Sequence, residues 1–336
     1  MKKKTNERAF VELLKARQGA LRGPLRLGIG DDAAIFRPAP GCESLLTCDL
    51  LVENVHFDLS TISPWELGAK AITASLSDVA AMGGNPRAYL VSLAIPKRKQ
   101  LKADFFKALY DGMRAWGQSF GAELAGGDTT SSPGPLVIDI FMLGEVEQGR
   151  ALLRSAAKPG DFVFCTGKLG DSAAGLACLQ AGPKRVPPSE AALLIKRHRL
   201  PVPRCLGGRY LLAKRAAHAC IDISDGLASE LHHLARESGV AIDLDGEAVP
   251  LSHAARGVAA ALRKDPLDWA LTGGEDYELL FTAPPSKLKL LEFEFSRLTG
   301  SQLSLIGRVK KGKGVRIHRK GKWRALPDSG YEHKIF

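Results

Sequence analysis

The chain has 336 residues, of which 45% are hydrophobic and 25% are charged, and its formal net charge at pH 7 is +11. This length exceeds the usual size of one domain, so we expect two packed domains. No run of about 18 apolar residues occurs, which excludes a membrane-spanning helix. The positive charge favours an anionic partner, but it does not distinguish nucleic acid or a membrane surface from an acidic small molecule.

The six cysteines indicate a reducing compartment. They form no CxxC pair and no zinc-type spacing with histidine, which is typical of reduced thiols rather than of disulfides or structural zinc. The N-terminal segment MKKKTNERAFVELL begins with basic residues but lacks the apolar stretch of a signal peptide. We therefore expect a soluble, cytoplasmic protein.

The first half predicts a mixed α/β domain over residues 1–148. Ser63, Pro64 and Glu66 have the spacing of a capping box with proline at the first helical position, so a helix should begin there. The predicted order is strand, helix, strand, helix, strand, in the segments SLLTCDLLV, PWELGAKAITASLSDVAAMG, AYLVSLAI, ADFFKALYDGMRAWGQSFG and PLVIDIFMLGEV.

The second half, residues 149–336, predicts another α/β domain. Polar residues and proline interrupt the pattern over 149–160, where we place the domain boundary. A strand, DFVFCTG, precedes a helix of small residues that begins at Asp171. There follow helices over 190–215, the strand HACIDIS, the helix GLASELHHLARESG, the strand VAIDLD, the segment ALTGGEDYELLFTAP and a basic, hairpin-like region, SLIGRVKKGKGVRIHRKGKW.

Three short motifs resemble known sites without the context that those sites need. GIGDDA fits a loose dinucleotide fingerprint, but the following AIFRPAPG predicts a strand and turn instead of a helix. GRVKKGKG has glycine where a Walker A loop needs serine or threonine. GQSFG matches a nucleophile elbow but ends a helix, where a glycine cap is expected.

A group of aspartates shares flanks of glycine, alanine, serine or aliphatic residues, with no arginine or lysine adjacent. Each has an ordinary structural interpretation: Asp225 as a helix N-cap, Asp128 as a turn residue, Asp49 as an acceptor for backbone amides. Their number favours oxygen-bound Mg²⁺ that is shared with a phosphate-bearing substrate. The group comprises Asp32, Asp49, Asp78, Asp128, Asp222 and Asp225.

Several stretches together resemble the thiamine-monophosphate kinases, which belong to the superfamily of aminoimidazole ribonucleotide synthetase. They are GIGDDAAIF, TCDLLVENVHF, SLSDVAAMGGNP, AGGDTT, RSAAKPGD, GDSAAGL, IDISDGLASEL, GGEDYELLF and GYEH, in order along almost the whole chain. The resemblance implies an α/β fold with mixed sheets in two domains. It also implies a homodimer that forms through the N-terminal domain, with ATP bound between the two domains and neither membrane nor nucleic acid as partner.

The resemblance also implies the activity and the site residues. The activity is direct, in-line transfer of the ATP γ-phosphoryl group to thiamine monophosphate with several Mg²⁺ ions, without a covalent intermediate or a side-chain base. The implied metal ligands are Asp32, Thr47, Asp49, Asp78, Asp128, Asp222 and Asp225, the ATP contacts are Tyr110, Gly127, Asp128, Arg154 and Ser224, and the substrate contacts are His56, Glu275 and Tyr331.

Two departures and two alternatives remain. Cys48 replaces the family's small hydroxyl residue, and the tail reads GYEHKIF where GYDHF is usual. Selenophosphate synthetase is disfavoured because residues 1–30 contain no cysteine, and the hydrogenase maturation factor because this chain does not end in cysteine. Another synthetase of the superfamily, or a non-catalytic basic protein that binds RNA or nucleotides, stays an alternative.

Overall fold

The computed structural model of the chain describes residues 14–17, 24–29, 33–98, 101–182 and 185–332. The chain divides into two compact units. Unit 1 comprises Met1–Val79 and Gly84–Gly149, and unit 2 comprises Ala80–Gly83 and Arg150–Phe336. The predicted α/β fold with mixed sheets is confirmed.

Unit 1 is built on a four-stranded sheet in the order β3-β6-β4-β5, accompanied by the small antiparallel pair β1-β2. In the larger sheet β4 and β5 run parallel, and the other neighbours are antiparallel. The strands are β1 (Leu25–Leu27), β2 (Ile35–Phe36), β3 (Cys42–Val52), β4 (Asn85–Pro96), β5 (Glu123–Ser132) and β6 (Val137–Glu147).

Unit 1 also contains the helices α1 (Pro64–Ala81) and α2 (Ala103–Ser119) among its described residues. The predicted capping box at the start of α1 is confirmed, since the Ser63 backbone N–H donates to the Glu66 carboxylate over 2.9 Å and the Glu66 N–H donates back to Ser63 Oγ. Helix α1 is buried along residues 67–81 except at Asp78, which is half-buried. Asp78 is therefore a carboxylate in an otherwise buried stretch of helix.

Glycine lets α1 and α2 approach closely. A Cβ atom on Gly112 would lie 2.0 Å from the Trp65 carbonyl oxygen, and one on Gly68 would lie 2.0 Å from the Leu109 carbonyl oxygen. Both distances are far inside van der Waals contact, so the two backbones touch where these side chains are missing. This contact fixes α1 beside the sheet.

Unit 2 contains a seven-stranded sheet in the order β13-β12-β9-β11-β7-β10-β8. The pair β9 and β12 is parallel, and the other neighbours are antiparallel. The strands are β7 (Phe162–Thr166), β8 (Cys220–Ile223), β9 (Ala241–Asp245), β10 (Glu278–Ala283), β11 (Leu303–Lys310), β12 (Gly314–Arg319) and β13 (Lys322–Ala325).

Helices cover this sheet, and its core packs aliphatic residues such as Leu231 and Leu234 against strand residues such as Ile242 and Leu280. A broken helical segment over 285–299 includes a π-helical turn, Leu291–Phe295. The helices are α3 (Asp171–Ala181), α4 (Pro188–Arg199), α5 (Cys205–Ala213), α6 (Leu227–Ser238), α7 (His253–Leu262) and α8 (Pro266–Thr272).

The prediction of a hairpin in the basic C-terminal region is wrong for its first two strands. Strands β11 and β12 do not pair with each other, because β9 lies between them and pairs with both. Only β12 and β13 form a hairpin. The sequence signal for a hairpin is local, whereas β9 reaches this position from more than fifty residues earlier in the chain.

All six cysteines lie within the described residues, and none of them forms a disulfide there. Across residues 14–17, 24–29, 33–98, 101–182 and 185–332, no helix combines the length and the apolar character needed to cross a membrane.

The close contact between α1 and α2 predicts the effect of adding one methyl group. Gly112→Ala should lower the free energy of unfolding by about 2 kcal/mol or more, because its Cβ overlaps the Trp65 carbonyl. Gly134→Ala is the control, since a Cβ there meets nothing within 4 Å. Thermal unfolding of both variants checks the prediction, which equal midpoints would contradict.

Candidate functional site

In unit 1, β3 and α1 bring three predicted metal ligands into one acidic cluster. The Thr47 hydroxyl donates a short hydrogen bond to Asp78 Oδ2. Ser75, one turn before Asp78 on α1, donates from Oγ to Asp49 Oδ2 over 2.6 Å. Thr47 and Asp49 are two residues apart on β3, so they share the face of the sheet that meets α1.

The carboxylates of this cluster repel one another. Burial, followed by the charge of Asp78, raises the pKa of Asp49 to about 6, and the charge of Asp139 adds to the effect. The hydrogen bond from Ser75 only partly offsets it. Such a set of oxygen donors fits a hard cation such as Mg²⁺, which would remove the repulsion.

A further acid, Asp139, lies on the opposite face of this sheet from Asp49 and Asp78, and the sequence pattern did not single it out. It lies on β6, and Cys48 donates from Sγ to its Oδ1 over 3.0 Å. This hydrogen bond is the largest cause that raises the pKa of Cys48 to about 11. Cys48 is therefore a neutral thiol near pH 7 and a poor metal ligand. The available signal was that Asp139 is the one charge within VIDIFML.

Strand β5 carries two further predicted residues, Gly127 and Asp128. A Cβ atom on Gly127 would lie 2.0 Å from the Val91 carbonyl oxygen, and its φ of +156° is rare for other residues, so glycine is required. Asp128 is exposed. Ser92 on β4 pairs with Asp128 on one side and with Asp139 on the other. The two acids therefore flank Ser92 on one face.

The other predicted residues of unit 1 have different surroundings. Tyr110 is buried on α2, and its hydroxyl is hydrogen-bonded to the Thr129 side chain. His56 lies in the turn after β3, where its Nδ1 accepts the Val52 N–H over 3.0 Å. That bond places any ring proton on Nε2. Asp32 lies outside the described residues. The roles of these three residues stay predictions.

In unit 2, the loop between β8 and α6 carries Ser224 and Asp225. The N-cap of α6 is Gly226, whose φ is +116°, so Asp225 is not the capping residue. The Glu230 carboxylate accepts the Asp225 N–H over 3.0 Å. Burial is the main cause that raises the pKa of Glu230 to about 7, and the nearby guanidinium of Arg154 opposes it. Arg154 is thus close to this loop.

Two distant segments are tied to the same loop by their backbones. The Glu275 N–H donates to the Ser224 carbonyl over 2.7 Å, and the Tyr331 N–H donates to the Asp225 carbonyl over 3.0 Å. Asp222 is buried just before the loop, on β8. The structure therefore groups the predicted residues of unit 2 around one turn of the chain.

The segment that contains Glu275 has an unusual backbone. Glu275 has φ +68° and Tyr277 has φ +50°, values in the left-handed region that favours glycine. Between them, the Asp276 carboxylate accepts the N–H groups of Gly170 and Ser172 over 2.6 and 3.1 Å, which caps the start of α3. This capping interaction holds the strained segment in place.

A polar cavity of about 250 Å³ lies beside this segment and is lined by Ser172, Glu275 and Asp276 among others. At its wall, Arg204 donates from Nε to Glu278 Oε2 over 2.6 Å in a bidentate, buried ion pair. Loss of hydration is the main cause that raises the pKa of half-buried Asp276 to about 8, opposed by its two N–H donors. Asp276 therefore keeps its proton to a higher pH than an exposed aspartate does.

Both units match family models. Residues 30–146 match the model described as AIR synthase related protein, N-terminal domain, and residues 158–320 match the corresponding C-terminal domain. The chain is therefore a member of the AIR synthase related family.

Closer relatives define the branch of that family. The chain is 39% identical over 312 residues to the thiamine-monophosphate kinase of Bacillus subtilis, across 91% of this chain and 93% of the relative. It is 39% identical over 307 residues to that of Salmonella typhimurium, across 91% of each.

Solved structures agree with these relatives. The crystal structure of thiamine-monophosphate kinase from Stenotrophomonas maltophilia has a TM-score of 0.83 and 35% identity, over 94% of this chain and 98% of that one. The structure described as AaThiL complexed with AMPPCP and TMP has a TM-score of 0.76 and 35% identity, over 99% and 98%. This chain belongs to the thiamine-monophosphate kinase family and is an enzyme, which confirms the predicted family.

The raised pKa of Asp276 predicts a pH dependence of stability. Between about pH 4 and pH 8 the folded chain holds a proton on Asp276 that the unfolded chain has lost, so this residue makes stability fall as pH rises. Asp276→Asn removes the ionisable group and with it that slope. The difference in thermal midpoint, variant minus parent, should grow between pH 5 and pH 8.

The matched control is Asp328→Asn, which alters an exposed carboxylate. Its midpoint should differ from that of the parent by a constant amount over the same pH range. An Asp276→Asn difference that stays constant or shrinks as pH rises would contradict the predicted protonation state.

Proposed function

We propose that this enzyme transfers the γ-phosphoryl group of ATP directly to the phosphate of thiamine monophosphate, which yields thiamine diphosphate and ADP. The relatives named as thiamine-monophosphate kinases and the AaThiL structure with AMPPCP and TMP support both substrates. The observation that carries the proposal is the cluster of Thr47, Asp49 and Asp78, in which the two carboxylates repel each other and all three side chains offer oxygen atoms to Mg²⁺.

The reaction needs charge compensation more than it needs a base. The phosphate of thiamine monophosphate is already a nucleophile, so no side chain has to remove a proton. Two like unit charges about 4 Å apart repel each other by roughly 4 kcal/mol at an effective dielectric near 20. When bound, Mg²⁺ supplies the positive charge that offsets this repulsion.

The residues of unit 1 would hold the metal ions. Asp49, Asp78 and the Thr47 hydroxyl offer oxygen atoms from one face of the sheet, and Asp128 offers another from β5. Asp32 belongs to the same proposed set. Because Gly127 has no side chain, the strand beside Asp128 can approach β4, which fixes the position of that carboxylate.

The residues of unit 2 would bind the two substrates. Ser224 and Arg154 are proposed to contact ATP, and Asp222 and Asp225 are proposed as further metal ligands. Glu275 and Tyr331, which are tied to the same loop, are proposed to contact thiamine monophosphate. A carboxylate at position 275 suits this substrate because the thiazolium ring is cationic.

The remaining predicted contacts come from unit 1. His56 is proposed to contact thiamine monophosphate, because its Nδ1 is occupied by the Val52 N–H and the Nε2–H can serve as a donor. Tyr110 and Gly127 are proposed to contact ATP.

Replacement of one acid in the cluster tests the proposed metal role. Asp78→Asn should lower turnover on the order of 10²–10³-fold, because the proposed Mg²⁺ site then loses a charged ligand. Turnover is measured as ADP release that depends on thiamine monophosphate and Mg²⁺. Asp104→Asn, an exposed acid on α2, is the control and should retain full activity.

The outcomes of that assay distinguish the proposed reaction from its alternatives. Near-normal turnover of Asp78→Asn would remove this residue from the proposed site. ADP release by the parent enzyme that does not depend on thiamine monophosphate would contradict the proposed acceptor and favour another synthetase of the superfamily. Absence of Mg²⁺-dependent ADP release together with salt-sensitive RNA binding would favour the non-catalytic alternative.

We also propose that the enzyme is a homodimer that forms through the open face of the four-stranded sheet. On β3 the residues that face away from α1 include Leu46 and Leu50, whose exposed fractions are 63% and 53%. Half-buried Leu90 and Phe141 lie on the same face of neighbouring strands. A second copy that covers this face would bury apolar surface that is otherwise in water.

Charge on this face should break the proposed dimer. The double variant Leu46→Lys and Leu50→Lys should sediment with the mass of one chain, because two lysines per copy oppose burial. The control is Leu298→Lys, which alters an exposed leucine of the helical segment 285–299. A parent enzyme that already sediments as one chain, or a double variant that stays dimeric, would contradict the proposal.

A further inference from the structure

His198, in the last turn of α4, contacts two residues of the proposed substrate region. Its Nδ1 lies 3.1 Å from Ser172 Oγ and 3.4 Å from Glu275 Oε2. His198 is buried, whereas Glu275 is half-buried and faces the cavity. The imidazole therefore lies behind the carboxylate, on the side away from solvent.

The packing of two helices places the imidazole there. Gly175 on α3 has no side chain, and a Cβ atom on it would lie 2.2 Å from the Leu194 carbonyl oxygen and 3.0 Å from His198 Cβ. The α4 backbone can thus approach α3 within direct contact. This approach brings His198 to Ser172, the second residue of α3.

The backbone of Glu275 is strained, and its side chain contacts His198. Its φ of +68° is a strained value for a residue with a side chain, and strain of this kind persists only where the surroundings enforce it. Its N–H is fixed to Ser224, but that bond leaves the side-chain torsions open. The contact with His198 is at the carboxylate itself, where it can select one rotamer.

We propose that His198 is a positioning residue that holds the Glu275 carboxylate toward the cationic heterocycle of the phosphate acceptor. An N–H at Nδ1 is shared between the Ser172 hydroxyl oxygen and the Glu275 carboxylate. The carboxylate is thereby oriented before the substrate binds, so that binding does not have to fix its rotamers. This inference rests on the proposed function, in which Glu275 binds thiamine monophosphate.

The test compares two substitutions at position 198. His198→Ala removes the donor, so the KM for thiamine monophosphate should rise about tenfold, while the KM for ATP changes less than about twofold. His198→Asn keeps an amide near the position of Nδ1 and should recover most of the lost affinity. A purely structural role would instead lower the thermal midpoint and affect both substrates alike.

A double variant shows whether His198 acts through Glu275. Once Glu275→Gln has removed the negative charge, adding His198→Ala should cause little further rise in the KM for thiamine monophosphate, because both changes disable one interaction. If the two effects multiply, His198 acts independently of Glu275 and the inference is wrong. The control is His318→Asn on β12, whose ring packs against Trp323 and which should leave both KM values unchanged.

The outcomes separate this inference from the proposed function. If the parent enzyme forms no thiamine diphosphate, the proposed function fails. If the parent enzyme is active and His198→Ala retains its KM for thiamine monophosphate, only the role of His198 fails. If His198→Ala does not fold, His198→Asn and Ser172→Ala are measured in its place. Both variants should raise the KM for thiamine monophosphate by less than the tenfold expected for His198→Ala, and neither should raise the KM for ATP.

Discussion

Repulsion between carboxylates is the physical constraint on which the structure of unit 1 depends. Asp49 lies close enough to Asp78 and Asp139 for their charges to help raise its pKa to about 6. Folding brings these groups together although they repel, so the hydrogen bonds from Thr47 and Ser75 and the packing around them must hold the cluster. A cluster that is costly in isolation is suited to a cation and to the phosphates that accompany it.

The packing that holds the cluster relies on small residues. Gly68 and Gly112 allow α1 and α2 to touch, which presents Ser75 and Asp78 to β3. Unit 2 uses the same means, since Gly175 lets α4 approach α3 and Gly226 ends the loop that carries Asp225. In both units, glycine lets two backbones approach each other, and this approach brings polar and charged side chains into contact.

The sequence predicts features that are local in the chain. The capping box of Ser63 and Glu66, the helix that begins there and the α/β class follow from spacing and periodicity, and the structure confirms them. The resemblance predicts the family, which the comparisons confirm. The individual site residues, the metal ions and the homodimer remain proposals.

Features that depend on distant parts of the chain were missed or predicted wrongly. The prediction of a hairpin is wrong because β9 lies between β11 and β12 in the sheet. The sequence did not single out Asp139, because it alternates with apolar residues as in an ordinary strand. Its contact with Cys48 arises only because β6 pairs with β3. The positive φ of Glu275 and the contact with His198 come from tertiary packing, as do helices α7 and α8, for which the periodicity gave no prediction.

The fate of the transferred phosphoryl group decides whether the proposed reaction takes place. The enzyme is incubated with thiamine monophosphate, Mg²⁺ and ATP that carries a label on its γ-phosphate. The products are then separated and identified by mass spectrometry. The label should appear in thiamine diphosphate in an amount equal to the ADP formed, and removal of Mg²⁺ should abolish both. Label found in inorganic phosphate or in another acceptor, with thiamine monophosphate unchanged, would contradict the proposed reaction.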